Sequence, residues 1–163
     1  MTTHTRRGRY LDELVVGDVY AHRPGRTVTD TDNVLFTTLT MNTQSLHLDA
    51  DYASRTEFGK VLVNSLFTMS TVVGLSVGDL TEGTTVANLG FSEIVFPAPV
   101  FVGDTLFAET EVVSVRESSS RQGQGVVEFE HRGLNHRGEL VCRARRVALM
   151  LAAPTGESHG QTR

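Results

Sequence analysis

Cysteine is nearly missing from this sequence, with Cys142 its only copy. No intrachain disulfide can form, and a zinc site built on paired cysteines is excluded. Also missing is any run approaching the ~20 apolar residues that a bilayer-spanning helix needs. The opening stretch MTTHTRRGRY places no apolar segment after its basic residues, so no secretory leader is expected and the cytoplasm is the expected location. Positive charge is short as well: 15 Lys and Arg stand against 19 Asp and Glu, a formal net charge of −4. A nucleic-acid binder normally carries a basic face to neutralise phosphates, so neither nucleic acid nor membrane is expected as a partner. Arg143, Arg145 and Arg146 alternate with apolar residues and read as the solvent face of a strand. No internal repeat and no long linker interrupt the chain.

What remains is the material of one globular domain. At 163 residues the chain can bury a sizeable core but not two ordinary ones. Its 39% hydrophobic and 21% charged residues suit a folded protein, not a disordered one. Residues 1–10 are expected to be a flexible N-terminus, 11–152 the ordered domain, and 153–163 a disordered tail.

The stretch RTVTDTDNVLFTTLTM begins like a strand and then changes period. Thr29 or Asp30 can cap a helix with Asp32 in its first turn, and Leu35, Phe36 and Leu39 fall on one side. A loop is expected from about Asn42, then a short turn near DADYAS. The segment 63–80, VNSLFTMSTVVGLSVGDL, is the most apolar helical candidate. Its apolar residues cover most of the circumference, so it is expected to be buried nearly all round.

After Gly83 the pattern becomes that of strands. TVANLGFSEIVF, DTLFAETEVVSVRE, GVVEFEHRGLN and ELVCRARRVALML are rich in β-branched or aromatic residues and separated by Gly, Pro, Ser or Asn clusters. In the second, Leu106, Ala108, Thr110 and Val112 share one face. SSSRQGQG and NHRG are natural hairpin connections. Helices followed by long antiparallel strands describe an α+β protein, a single sheet wrapped around one long buried helix, the hotdog architecture.

One stretch speaks to chemistry: LTMNTQSLHLDADYA sets His47 among amides and carboxylates. Read alone, His47 is either a general base or a loop histidine closing the turn after the first helix. Asn42, Gln44 and Asn64 either orient a water or satisfy backbone groups. Ser65 reads as a helix N-cap, and Ser70 as a helix serine bonded to the preceding turn. His4 and His159 fall in the tails, His22 and His136 in expected turns, and His131 at a strand surface or core edge.

Specific residues nevertheless match a family. Over roughly residues 11–150 the chain resembles the MaoC-like dehydratases, the hotdog-fold group that includes the R-specific enoyl-CoA hydratases. The family's Asp-x-Asn-Pro-x-His-x-Asp motif corresponds to Asn42-Thr43-Gln44-Ser45-Leu46-His47-Leu48-Asp49. Asn64-Ser65-Leu66-Phe67 stands at the family's His-Gly-Met-Leu helix start, FPAPVFVGDTL at its Pro-Val-x-x-Gly-Asp-Thr-Leu block, and NHRGELV at its penultimate hairpin.

The resemblance implies a hydratase or dehydratase of acyl-CoA thioesters, adding water reversibly to an enoyl-CoA, with a branched or carboxylated one such as mesaconyl-CoA as a candidate. It implies His47 as base with Asn42 at the partner position, and the backbone N–H of Ser65 as oxyanion donor. Asn64 and Gln44 are carried as substrate-binding positions, and Ser70 as a supporting serine. Neither a metal nor an organic cofactor is implied, coenzyme A being part of the substrate, and a homodimer or higher homo-oligomer is expected. The departure lies at Asn42. An amide can orient water but cannot accept its proton, so His47 would carry the proton alone. Two competitors therefore stand beside the hydratase: a hotdog acyl-CoA thioesterase, and a non-catalytic acyl-CoA-binding subunit.

Overall fold

The structure, a computed structural model, describes residues 7–154. Strand β1 (Val19–Thr27) leads into α1 (Asp30–Leu39), the short α2 (Ser45–Leu48) and α3 (Ala50–Ser54), and the long α4 (Ser65–Leu80). Four strands follow: β2 (Thr85–Val95), β3 (Thr105–Glu117), β4 (Gln124–Leu134) and β5 (Leu140–Leu151). They form one antiparallel sheet in the order β1-β3-β4-β5-β2. Helix α4 lies against β3, β1, β4 and β5, which gives the α+β hotdog arrangement.

The alternation in β3 decides the core. Leu106, Ala108, Thr110 and Val112 all point inward and are fully buried. Toward the C-terminal end of α4, Leu80 packs with Val112, Val127, Phe129 and Met150. Toward its start, Val28, Val63, Leu106 and Val141 form a second cluster. Each fully buried side chain of this size contributes about 1.5–3 kcal/mol. The outward faces of β3, β4 and β5 instead carry cross-strand ion pairs, among them Arg132 to Glu111 at 2.9 Å and Arg145 to Glu130 at 3.4 Å.

Four expectations need correction. Helix α4 is not buried all round: its stripe Thr68, Val72, Ser76 and Leu80 is, while Leu66 on the outer side is 53% exposed. The sheet covers only one side of it. In α1 the buried side is not that of Leu35 and Leu39, which are exposed, but that of Asn33 and Thr37. His22 lies in β1, not in a turn, and is fully buried; His131 is equally enclosed. Arg146 faces inward, because strand alternation carries it to the side of Ala144 and Ala148.

Of strand β1, only the end at Arg26 and Thr27 matches the strand-like start expected of RTVTDTDNVLFTTLTM. Pro24 and Gly25 interrupt it, and it survives as an edge strand whose register shifts between His22 and Arg26. It carries a buried polar row. His22 Nδ1–H donates to Asp79 at 3.0 Å, His22 Nε2 meets Thr110 Oγ1 at 2.9 Å, and Thr110 Oγ1 meets His131 Nδ1 at 2.8 Å. Burial and the nearby Arg146 charge hold His131 down at about 3.

Of the expected flexible ends, residues 1–6 and 155–163 lie outside the described residues. Residues 7–10 are packed: Gly8 N–H donates to Glu82 O at 2.7 Å and Arg9 N–H to Leu80 O at 2.9 Å. These bonds tie the segment to the end of α4 and the turn after it, Leu80 O accepting also from Thr84 Oγ1 at 3.3 Å.

Candidate active site

The histidine turn is built by local capping. Thr29 is the N-cap of α1, its side chain accepting from Asp32 N–H while the Asp32 carboxylate accepts from Thr29 N–H, a reciprocal capping box. After α1 the chain reverses at Asn42, whose N–H donates to Thr37 O at 3.0 Å and whose side-chain Oδ1 accepts from Gln44 N–H at 3.1 Å. That Asx turn sets Gln44 as the residue before α2 and places His47 in its last turn. Asp49 then caps α3, accepting from Tyr52 N–H at 2.9 Å.

His47 is half-buried, and its Nδ1 lies 2.8 Å from the carbonyl oxygen of Leu62. A carbonyl can only accept, so Nδ1 carries the proton. In the neutral ring the lone pair is therefore on Nε2, the atom left free to act as a base. Leu62 is tied back to the same turn, its N–H donating to Leu46 O at 3.1 Å.

Two residues beyond Leu62, Asn64 precedes α4. Its Oδ1 accepts from Leu66 N–H at 3.0 Å, and its Nδ2 donates to Thr37 Oγ1 at 3.3 Å. Asn64 is thus the N-cap, the role expected of Ser65, and Ser65 is the first helical residue. Among the described residues nothing accepts the Ser65 N–H, so it stays available at the positive end of a sixteen-residue helix.

Ser65 also lines a pocket of about 290 Å³, walled by Phe58, Leu62, Val63, Thr68, Phe96, Val100 and Val141. The wall is mostly apolar, with the hydroxyl residues Ser65 and Thr68 in it, and carries no charged side chain. Leu62 joins pocket and base, since its side chain lines the one while its carbonyl holds the other.

The structure therefore brings His47, Asn64 and Ser65 together around Leu62. Asn42 and Gln44 stand in the turn leading into α2, with the Gln44 side chain exposed. Ser70 lies on the exposed side of α4, outside the pocket lining. Cys142 follows Val141 but is fully buried, and burial pushes its thiol up to about 11, so it stays protonated. No three His, Cys, Asp or Glu side chains converge as a metal-binding group among the described residues. Reasoning from sequence missed Asn33 and Thr37, which buttress this site. The available signal was their spacing of four, a polar stripe on a helix that also carries an apolar one.

Comparison with known proteins agrees with this architecture. Residues 13–133 match the family described as MaoC like domain. A mesaconyl-CoA hydratase from Cereibacter sphaeroides is 34% identical over 137 residues, covering 84% of this chain and 39% of that protein. The chain spans about two fifths of the length of the first curated relatives it matches. A monoamine oxidase regulatory protein from Archaeoglobus superimposes with a TM-score of 0.80 at 32% identity, covering 91% of this chain and 98% of that one. A Mycobacterium tuberculosis protein described as a double hotdog fold gives a TM-score of 0.82 at 27% identity, covering 93% of this chain and 46% of that one.

Proposed function

The chain belongs to the family of MaoC-like domains, and from that membership we propose that it is a hydratase or dehydratase of enoyl-CoA thioesters. The observation that carries the reading is the bond from His47 Nδ1–H to Leu62 O, which in the neutral ring puts the lone pair on Nε2 and ties the ring to a residue two positions before the N-cap of α4. In the hydration direction Nε2 removes a proton from water as the water oxygen bonds to the β-carbon of the enoyl group. Negative charge then moves to the thioester oxygen, where the Ser65 N–H and the helix dipole stabilise it. The same nitrogen returns the proton to the α-carbon, so water is added with no net proton gain. Asn42, its Oδ1 already engaged in the turn, offers Nδ2 to hold the water oxygen. Asn64 fixes the helix start by capping Leu66 N–H.

The acyl group occupies the apolar pocket, with coenzyme A arriving as part of the substrate and no separate cofactor required. The name of the Cereibacter relative supports a branched, carboxylated enoyl group such as mesaconyl-CoA. Because the pocket wall carries no charge, the carboxylate of such a substrate points away from that wall. The working unit is a homodimer. Strand β2 is a free sheet edge, and Val86, Leu89, Ile94 and Val95 on it are exposed. Pairing with a second β2 would close that edge, and the double hotdog fold named for the Mycobacterium tuberculosis neighbour supports two such units working together. No helix among the described residues is long and apolar enough to cross a membrane. A reduced, cytoplasmic setting suits the single free thiol.

The test is the loss of enoyl absorbance when the purified protein meets crotonyl-CoA or mesaconyl-CoA. His47→Ala is expected to lower kcat by about 10²–10⁴; full activity in that variant refutes the site. Release of free thiol from a saturated acyl-CoA would instead identify a thioesterase.

A further inference from the structure

Asn33 is fully buried, and both ends of its amide are used. Nδ2 donates to the backbone carbonyl of His47 at 3.0 Å and makes a longer contact of 3.4 Å with the carbonyl of Leu62. Oδ1 accepts the backbone N–H of Asn64 at 2.9 Å. One planar amide thus touches the residue that carries the base, the residue whose carbonyl orients that base, and the N-cap of α4. These residues are 15 and 17 positions apart along the chain from His47, so no local turn relates them.

We propose that Asn33 is a positioning residue that holds the His47 imidazole and the N-terminus of α4 in one fixed relation. The proposal rests on the reading of His47 as base and Ser65 N–H as oxyanion donor. Water addition requires the base on one side of the enoyl carbon and the donor on the thioester oxygen at the same moment. A misplacement of about 1 Å between such groups lowers the rate on the order of a hundredfold. The amide is suited to the task because it offers a donor and an acceptor in one rigid plane. A carboxylate at the same place could still accept from Asn64 N–H but would face two carbonyl oxygens with no proton to give. Leucine would leave all three backbone groups without this partner in a dry site.

Removing the amide loosens the site without dismantling it. Leu62 N–H still donates to Leu46 O at 3.1 Å, and Asn64 Nδ2 still reaches Thr37 Oγ1 at 3.3 Å. The Leu62 carbonyl, no longer held by the amide, turns away from His47 Nδ1, and the imidazole proton redistributes between its two nitrogens.

The experiment is a proton–nitrogen correlation spectrum of the imidazole rings of the full chain, recorded for wild type, Asn33→Asp and Asn33→Ala, with steady-state kinetics on the best enoyl-CoA. Wild type is expected to show His47 protonated on Nδ1. Both variants are expected to show a mixture of tautomers, with kcat reduced on the order of a hundredfold and KM little changed. Retention of the wild-type tautomer in both variants overturns the proposal, whatever happens to kcat. Loss of cooperative unfolding in both variants also overturns it, by assigning Asn33 to stability alone. A tautomer change in the two variants, with a wild type that hydrates no enoyl-CoA, supports the positioning role and refutes the hydratase reading.

Discussion

Lowering the pH from 7 to 5 should destabilise the protein through His131, and the effect can be worked out from its surroundings. The ring is 1% exposed, Thr110 occupies its Nδ1 at 2.8 Å, and the Nε2 atom is buried without a partner. Burial first, then the Arg146 and His22 charges, depress its protonation to about 3. In the unfolded chain the same imidazole titrates near 6.5. Above pH 6.5 neither state is protonated and His131 contributes no pH dependence. Below it the unfolded state takes up a proton that the folded state refuses, so stability falls steadily until the folded ring titrates near 3. The linkage amounts to about 2 kcal/mol at pH 5 and about 3 kcal/mol at pH 4, relative to pH well above 6.5. For a domain of this size the pH 5 value corresponds to a fall in Tm of roughly 4–8 °C.

Over pH 7–5 the depressed carboxylates add little. Glu13, held at about 2 chiefly by Arg7, loses its contribution only as pH falls below its ordinary 4.5. The assay is urea unfolding of wild type and His131→Asn across pH 7, 6 and 5. The asparagine keeps a partner for Thr110 and cannot titrate. Wild type should lose about 2 kcal/mol more than the variant between the two extremes. Parallel stability curves would refute the reasoning, showing that the folded protein protonates His131 as readily as the unfolded chain.

Three further outcomes follow from the same structure. Asn42→Asp keeps the acceptor that Gln44 N–H uses at 3.1 Å and adds a proton acceptor in the turn leading to His47, so crotonyl-CoA hydration should rise about tenfold or more; an unchanged or lower rate would remove Asn42 from the water site. Gly133→Ala places a Cβ well inside contact distance of Val72 Cγ2 and 3.3 Å from Cys142 Cβ, under the middle of α4. It should cost about 1–3 kcal/mol by overpacking, read as a lower urea midpoint at unchanged slope. Leu89→Glu changes a residue that is 54% exposed on the free edge strand, so monomer stability should move by less than about 0.5 kcal/mol while the mass in light scattering halves; an undiminished mass would place the dimer contact elsewhere.

Much of the fold was legible because its strongest signals are periodic. The four strands after Gly83 were readable from β-branched runs broken by turn residues, and the inward face of β3 from alternation alone. Most of strand β1, before Arg26, is not legible because Pro24 and Gly25 interrupt its pattern, and an edge strand tolerates both. Of the candidate site, only part is legible in the sequence. His47 and the start of α4 could be placed from the family motif, but the sequence does not say which of His47's nitrogens is free. That is settled by Leu62 O, fifteen residues away. Asn33 was invisible for a similar reason: its partners are backbone groups, which every sequence offers everywhere.

The sequence by itself determined the four strands after Gly83 and the two longer helices, because periodicity and capping act over a few residues and need no distant partner. It also determined that one histidine turn precedes one apolar helix. The tertiary structure alone decided which side of each helix is buried. Helix α1 turns Asn33 and Thr37 inward and leaves Leu35 and Leu39 outside. A buried amide that satisfies three backbone groups can outweigh apolar burial at that position, and those groups meet only after the chain has folded.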